Sequence, residues 1–141
     1  MDLLLWRHAD AIEGYPDQER ALSNKGLKQA KRMAAWLNER LPKDVLILAS
    51  PARRTQQTVA ALEREYQTEP ALNTDSNGHA VIEAVDWPNA NRTVLVVGHQ
   101  PTLGEVAALL LTGERQSLSV KKGAVWWLQS RDTQAVLKVM M

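Results

Sequence analysis

Three short segments of the sequence place histidine, arginine or serine directly after a run of apolar residues. They are Trp6–Asp10, Ser50–Arg54 and Gly98–Pro101, and they hold two of the chain's three histidines, His8 and His99. Arginine presents a planar fork of donors that matches phosphate oxygens. A neutral histidine can attack phosphorus, and a second can donate a hydrogen bond to the oxygens as charge develops. These residue types together predict phosphoryl-transfer chemistry.

A metal centre is the competing interpretation of the same residues. His8, His99 and Asp10 could supply a set of three ligands. The neighbouring arginines would repel a cation and attract an anion, so anion binding is favoured over metal binding. We therefore predict no metal site, and we expect no organic cofactor.

The apolar runs before the three segments must position them. These runs are Asp2–Trp6, Val45–Ala49 and Thr93–Val97, and each is typical of a central strand that is covered on both faces. Ligands of open α/β sheets bind beyond the carboxyl ends of the strands. If the three strands are parallel and adjacent, the polar segments meet at one edge of the sheet, although they come from distant parts of the chain.

Strand and helix patterns alternate along most of the chain, which predicts a three-layer α/β/α sandwich with a mostly parallel central sheet. Ser23 is the expected N-cap of the first helix. The predicted helices cover Leu27–Leu41, Thr55–Tyr66, His79–Val85 and a segment with Pro101 in its first turn. The remaining predicted elements are a short extended piece at Pro70–Leu72 and an antiparallel C-terminal hairpin, Ala124–Gln129 and Ala135–Met140, around the turn Ser130–Thr133.

Composition limits the classes of protein to consider. The chain has 141 residues, which fits a single domain over residues 1–141. Its 17 lysines and arginines against 16 acidic residues give a net charge of +1, so neither nucleic acid nor a membrane is expected as a partner. The chain has no cysteine, which excludes a cysteine nucleophile and a thiolate metal site. With no basic leader and no apolar run near about 18 residues, we expect a cytoplasmic protein.

The order and spacing of the motifs carry a family resemblance. LLLWRHADA, SPARRTQQT and VVGHQP resemble the three signature segments of the histidine phosphatase superfamily, whose members are phosphoglycerate mutase-like and acid-phosphatase-like enzymes. The small size and the segment ALSNKGLKQA resemble its SixA-type phosphohistidine phosphatase branch. The resemblance extends from about Asp2 to about Leu111, and it implies a phosphoglycerate mutase-like fold.

The same resemblance implies a role for each matched residue. His8 would be the nucleophile that becomes phosphorylated, and Arg7 and Arg54 would clamp the phosphate. His99 would complete the pocket, where phosphate or sulfate should bind. Asp10 is a further candidate for substrate binding. Ser50 and Thr58 either bond to the site or cap and line the helix, and the structural role is favoured.

The sequence departs from the family pattern in two places. Ala9 stands where the family's first motif has glycine, and alanine disfavours positive φ angles. Larger members supply a glutamate as general acid from an inserted segment, whereas the corresponding segment here, Asn73–Asn91, is short. The candidates for the proton donor are Asp10, Glu13, Asp75, His79 and Glu83.

The lack of an assigned acid favours one substrate class. The nitrogen that leaves from a phosphoramidate protonates easily, so it needs less acid assistance than an alkoxide. We therefore predict hydrolysis of phosphohistidine in proteins of the phosphorelay type, through a covalent phosphohistidine at His8. The alternatives are a small-molecule phosphomonoesterase of the same mechanism and a non-catalytic module that binds phosphate or a phosphoprotein.

Overall fold

The computed structural model describes residues 1–132 and 134–141, and the strands in these residues form one six-stranded sheet. The strands are β1 (Asp2–Arg7), β2 (Leu46–Ala49), β3 (Gln67–Thr68), β4 (Val94–Gly98), β5 (Val125–Arg131) and β6 (Gln134–Met140). The helices are α1 (Asn24–Asn38), α2 (Arg53–Ala60), α3 (Gly78–Ala84) and α4 (Thr102–Thr112), with 3₁₀ turns at Asp17–Glu19 and Pro70–Leu72.

The strand order β3-β2-β4-β1-β5-β6 places the first strand of the chain near the middle of the sheet. β1 pairs in parallel with β4, and β4 and β3 pair in parallel with β2. β5 pairs antiparallel with β1, and β6 with β5. The carboxyl ends of β1, β2 and β4 therefore meet at one edge, as the sequence predicts.

Helices cover both faces of the sheet. Alternate residues of β1 enter two cores, with Leu3 and Leu5 on one side and Leu4 and Trp6 on the other. The first core also contains residues of α3 and α4, namely Val81, Leu103 and Val106. The second contains residues of α1 and α2, namely Ala34, Leu37 and Val59. The predicted three-layer α/β/α sandwich is confirmed, and each core residue of β1 is completely buried.

The start of α1 is fixed to the segment that follows β1. Ser23 is the N-cap as predicted, and its Oγ accepts a hydrogen bond of 3.0 Å from the Gly26 amide. A Cβ atom at Gly26 would collide with the carbonyl oxygen of Asp10. Glycine at this position therefore allows the helix to approach the residues just beyond the carboxyl end of β1.

Three local predictions are wrong. Pro70–Leu72 is a 3₁₀ turn capped by the Glu69 carboxylate, and the short strand lies before it at Gln67–Thr68. α2 ends at Ala60, because Glu63 adopts a φ of 55° and turns the chain away from the helix axis. Pro101 is the residue before the first turn of α4 rather than a residue within it.

The C-terminal hairpin is confirmed, with longer strands than the sequence indicates. β5 continues to Arg131 and β6 starts at Gln134, so the turn is shorter than Ser130–Thr133. Thr133 itself lies outside the described residues. In the part of the chain that the structure describes, none of the helices has the length and apolar character needed to span a membrane.

Candidate active site

The edge formed by the carboxyl ends of β1, β2 and β4 brings the two motif histidines together. The amide of His8 donates to the Gly98 carbonyl at 3.0 Å, and the amide of Ser50 donates to the Val97 carbonyl at 3.0 Å. These bonds continue the parallel ladder one residue beyond each strand. The ring centroids of His8 and His99 consequently lie 5.3 Å apart, and both side chains are buried.

His8 is held as a neutral ring with a free Nε2. Its Nδ1 lies 2.7 Å from the carbonyl oxygen of Ala9. Because a carbonyl oxygen only accepts, Nδ1 must carry the proton, and Nε2 keeps its lone pair. Burial lowers the pKa of His8 to about 4, against the raising effect of the Ala9 hydrogen bond and with help from the charges of Arg54 and Arg7. A neutral imidazole with an available nitrogen is the form that attacks phosphorus.

His99 is held by the opposite nitrogen. Its Nε2 lies 2.8 Å from the Oγ of Ser50, and that oxygen already accepts a hydrogen bond from the Ala52 amide. This bond fits either tautomer of His99; we assign the Ser50 hydroxyl as its donor, which leaves the proton of His99 on Nδ1. Burial lowers the pKa of His99 to about 3, and the neighbouring His8 adds to this effect. Nδ1 is buried and has no hydrogen-bond partner among the described residues.

Two arginines stand beside the histidines. Arg54 is 4% exposed and donates through Nη1 to the Asp17 carbonyl at 2.8 Å and through Nη2 to the Asp17 carboxylate at 3.0 Å. Arg7 donates through Nη1 to the Val120 carbonyl at 3.1 Å. The Nε atoms of both arginines are buried and, like Nδ1 of His99, have no partner in the described part of the chain. A buried donor without an acceptor is costly, and an oxyanion is the kind of group that accepts from such donors.

Asp17 is a residue of this site that the sequence reasoning missed. Its carboxylate binds Arg54, and it also accepts a bond of 3.2 Å from Arg20. The bond from Arg54 is the main cause of a lowered pKa at Asp17, so the carboxyl is ionised at neutral pH. The turn cluster Gly14–Asp17 in the loop after the first motif was the available signal, but it does not indicate which residue returns to the site.

The Asp10 carboxylate is engaged away from the two histidines. Ser23 donates to it at 2.7 Å and Lys122 at 3.2 Å, and these bonds lower its pKa. Within residues 1–132 and 134–141, histidine, aspartate and glutamate side chains form no group of three or more that could hold a metal ion. The structure thus places Asp10 at the start of α1 rather than in a ligand set with His8 and His99.

The other candidates for the proton donor lie on the surface. They are Glu13, Asp75, His79 and Glu83, and all four are exposed. In the residues that the structure describes, none of them shares a hydrogen bond or an ion pair with His8, His99, Arg7 or Arg54. The proton donor stays unassigned.

Ala9 is accommodated by the loop that follows β1. Its φ is not in the left-handed region, where glycine is favoured, and its methyl group lies in a small core with Leu22 and Ala30. The amide of Ala9 donates to the Oγ1 of Thr58 at 3.1 Å, and Thr58 donates to the Arg54 carbonyl at 2.7 Å. Thr58 therefore joins the loop that carries His8 to the helix that carries Arg54, and alanine at position 9 strains neither.

Known proteins resemble this chain in both sequence and fold. The sequence pattern of the histidine phosphatase superfamily, branch 1, matches residues 3–77. An uncharacterised protein of Mycobacterium tuberculosis is 33% identical over 116 residues, which cover 74% of this chain and 68% of that protein. The phosphohistidine phosphatase SixA homolog of Haemophilus influenzae is 29% identical over 135 residues, or 84% of this chain and 82% of the relative.

The fold agrees with a solved structure over the whole chain. The protein histidine phosphatase SixA complexed with tungstate has a TM-score of 0.87 and 23% identity, and the match covers 100% of this chain and 96% of that one. The predicted resemblance to the SixA-type branch is confirmed. The chain belongs to the histidine phosphatase superfamily, branch 1.

Proposed function

We propose that this phosphatase removes the phosphoryl group from phosphohistidine in proteins, through a covalent intermediate on Nε2 of His8. One observation carries the proposal: the neutral, buried His8 belongs to a group with Arg7, Arg54 and His99, in which three buried donor atoms have no partner among the residues that the structure describes. A phosphoryl group has three oxygens that accept such donors, and its phosphorus is the electrophile that the nitrogen attacks. The names of two relatives, the phosphohistidine phosphatase SixA homolog of Haemophilus influenzae and phosphohistidine phosphatase SixA of Escherichia coli, support the same substrate.

In the first step, the lone pair on Nε2 of His8 forms a bond to phosphorus, and the bond from phosphorus to the substrate nitrogen breaks. The electron pair of that bond leaves with the substrate imidazole, which takes up a proton. Arg7, Arg54 and His99 donate to the phosphoryl oxygens as negative charge spreads over them in the transition state. The hydrogen bond from Nδ1 of His8 to Ala9 holds the ring while its other nitrogen becomes positively charged.

In the second step, water attacks the phosphorus and the bond to Nε2 of His8 breaks. The electron pair returns to Nε2, the proton of the water goes to the phosphate that leaves, and the ring is again neutral. The low pKa of His8 makes its imidazole a good leaving group from phosphorus in this step. Neither step involves oxidation or reduction, so the cycle needs no redox cofactor.

The charges at the site favour an easily protonated leaving group. Asp17 is the carboxylate bound to Arg54, and its lowered pKa keeps it ionised rather than ready to donate a proton. An alkoxide leaving group depends on such a donor, whereas an imidazole nitrogen takes its proton from solvent. A phosphohistidine protein also fits the cytoplasmic location expected from the sequence, which stays a prediction.

The test compares leaving groups and traps the intermediate. The turnover of the wild-type protein is measured on a phosphohistidine-bearing protein, an aryl phosphate and an alkyl phosphate. In a second experiment the phosphohistidine protein carries an isotopic label in its phosphoryl group, and the labelled enzyme is trapped by rapid quenching into base. We expect turnover to be fastest with the phosphohistidine protein and slowest with the alkyl phosphate, with the label mapped to His8.

Each other outcome replaces the proposal with a different one. Rapid hydrolysis of the alkyl phosphate and none of the phosphoprotein would indicate a phosphomonoesterase. Tight phosphate binding with no turnover of any substrate would indicate a binding module. Label on any residue other than His8 would show that His8 is not the nucleophile.

A further inference from the structure

One exposed face of α1 carries only positive charge. Lys25, Lys28 and Arg32 recur at spacings of three and four residues, so they lie on the same side of the helix, and all are exposed. The helix Asn24–Asn38 contains no aspartate or glutamate. Like charges at these spacings repel and weaken a helix. Helix stability therefore does not explain the arrangement.

A second basic segment packs against this face. Lys121 and Lys122 are exposed and precede Gly123, where a Cβ atom would lie 3.5 Å from the side chain of Gln29 on α1. The two segments therefore form one continuous surface. We call Lys25, Lys28, Arg32, Lys121 and Lys122 the basic patch.

An apolar groove lies inside the basic patch. Its volume is about 520 Å³, and it is open to solvent between α1 and the segment 121–124. Met33 and Trp36 of α1 and the exposed Met141 line it, with Arg32, Lys121 and Lys122 at its rim. A groove with an apolar floor and a charged rim matches the general composition of protein docking surfaces.

Hydrogen bonds connect both sides of the basic patch to the nucleophile. The amide of Gly123 donates to the carbonyl of His8 at 3.0 Å, and the side chain of Gln29 accepts from the amide of Asp10 at 2.9 Å. Lys122 precedes the residue bonded to His8, and Lys28 precedes the residue bonded to Asp10, so both parts of the patch are joined to the segment that carries His8. We therefore expect a protein that presents its phosphohistidine to His8 to contact this surface.

Most of the charge in the basic patch is uncompensated. Lys122 pairs with Asp10 at 3.2 Å, whereas the other four residues make no salt bridge within the described ranges 1–132 and 134–141. The whole chain carries a net charge of only +1, so these side chains are a local concentration rather than part of a basic protein. Their field attracts a partner that presents carboxylates at the same place.

We propose that the basic patch and its groove dock an acidic surface of the substrate protein beside its phosphohistidine, with an apolar side chain of that protein in the groove. The inference rests on the proposed function, since it names the chemistry of the partner at the same site. Electrostatic complementarity of this kind acts mainly on the rate of encounter and on the choice of partner. It predicts a selectivity among phosphoproteins that the residues around His8 do not themselves supply.

The test uses matched substrates and matched variants. The substrates are phosphoramidate, which is too small to reach the basic patch from the site, and one helical carrier protein with a single phosphohistidine, made with glutamates or with lysines on either side of it. The patch variant is Lys28→Glu with Arg32→Glu. The control variant is Lys43→Glu with Arg92→Glu, because these exposed residues precede β2 and β4 and lie at the opposite edge of the sheet.

We expect kcat/KM of the patch variant on the glutamate carrier to fall roughly tenfold or more at low ionic strength. Its kcat/KM on phosphoramidate should equal that of the wild type, which also shows that the variant is folded. The control variant should behave as the wild type on all three substrates. The wild type should prefer the glutamate carrier to the lysine carrier, and high salt should remove this preference.

The possible failures differ from one another. If the wild type hydrolyses phosphoramidate and neither carrier, the proposed function fails and this inference fails with it. If the wild type hydrolyses both carriers equally and the patch variant is unchanged, the docking inference alone is wrong. If the patch variant loses only its binding to phosphatidylserine vesicles, the basic patch serves a membrane surface and the inference is likewise wrong.

Discussion

The two buried histidines of the site are held by opposite nitrogens. His8, after β1, is tied through Nδ1 to a carbonyl oxygen, and His99, after β4, is tied through Nε2 to a hydroxyl. The first arrangement leaves a lone pair free and the second leaves an N–H free, although both rings are neutral and lie 5.3 Å apart. Two residues of one type at equivalent strand ends are thus suited by their hydrogen bonds to the complementary roles that we propose for them, nucleophile and donor.

The source of each tether explains the difference. The acceptor for His8 is the carbonyl of the next residue, so it depends only on the path of the loop after β1. The partner of His99 is Ser50, which follows β2, and β2 is paired with β4 so that Ala49 lies opposite Val97. His8 is thus oriented locally, whereas His99 is oriented through the sheet.

Of the predicted substitutions, removal of the proposed nucleophile is expected to lower the activity most. His8→Ala should lower kcat on a phosphohistidine protein by at least about 10⁴-fold, because no other lone pair is held at the phosphorus. Measurement of phosphate release at fixed times tests this, with Lys43→Ala as the control, since Lys43 is exposed and lies at the opposite edge of the sheet. Equal losses in both variants would contradict the assignment of His8.

The donor should matter less than the nucleophile. His99→Ala removes one N–H from the developing charge, so kcat should fall by roughly 10²- to 10³-fold while the covalent intermediate still forms. Quenched-flow detection of the phosphorylated enzyme shows whether the intermediate still forms when turnover is slow. A variant that forms no intermediate at all would show that His99 does more than donate a hydrogen bond.

Acid is expected to weaken the fold through both histidines. Their pKa values in the folded chain are about 4 for His8 and about 3 for His99, whereas an unfolded histidine titrates near about 6.5. Between these values the unfolded chain binds more protons, so the free energy of unfolding decreases as the pH falls from about 6.5 to about 4. The decrease is at most about 1.4 kcal/mol per pH unit for each histidine.

Denaturant titrations at pH 7, 6 and 5 measure this slope, and NMR of the imidazole nitrogens reports the two protonation states directly. An unfolding free energy that stays constant over this range would contradict the neutral assignment. His99→Asn should retain roughly half of the slope of the wild type, because only His8 then contributes to it.

The smallest expected effect concerns the tether of His99. Ser50→Ala removes the hydroxyl that fixes the ring, so kcat should fall roughly tenfold, about 1.4 kcal/mol, with little change in KM. The nitrogen shifts of His99 should then report a mixture of tautomers, which a merely structural role for Ser50 would not produce. Ser50→Thr keeps the hydroxyl and should restore both the single tautomer and most of the rate.

The strand ends were predictable because their signal is local. Each of β1, β2 and β4 is an apolar run that stops at a polar cluster, and parallel pairing is enough to bring the clusters together. The apolar spacing from Thr55 to Tyr66 predicted the extent of the second helix less well than the apolar runs predicted the strands. Leu62 is buried in the same core as Val59, so the spacing correctly indicates burial even though the helix has already ended.

The parts that were missed depend on contacts between distant residues. Asp17 reaches Arg54 across 37 positions and Ser50 reaches His99 across 49, and neither distance has a periodic signature. The strand Gln67–Thr68 has only two residues, both exposed, so no hydrophobic pattern marks it. The choice of Arg54 over the adjacent Arg53 was not missed, because the family motif indicated it; Arg54 is 4% exposed, whereas Arg53 is exposed.

The central position of β1 has a consequence for when the protein acquires its chemistry. Leu5 pairs with Val96 on one side and with Trp126 on the other, so the nucleophile-bearing strand is completed by segments that a ribosome synthesises some 90 and 120 residues later. Ordering of such distant segments is slow, and it is lost together with global stability. A nascent or partly unfolded chain therefore lacks the assembled site, so the proposed chemistry at His8 requires the finished fold.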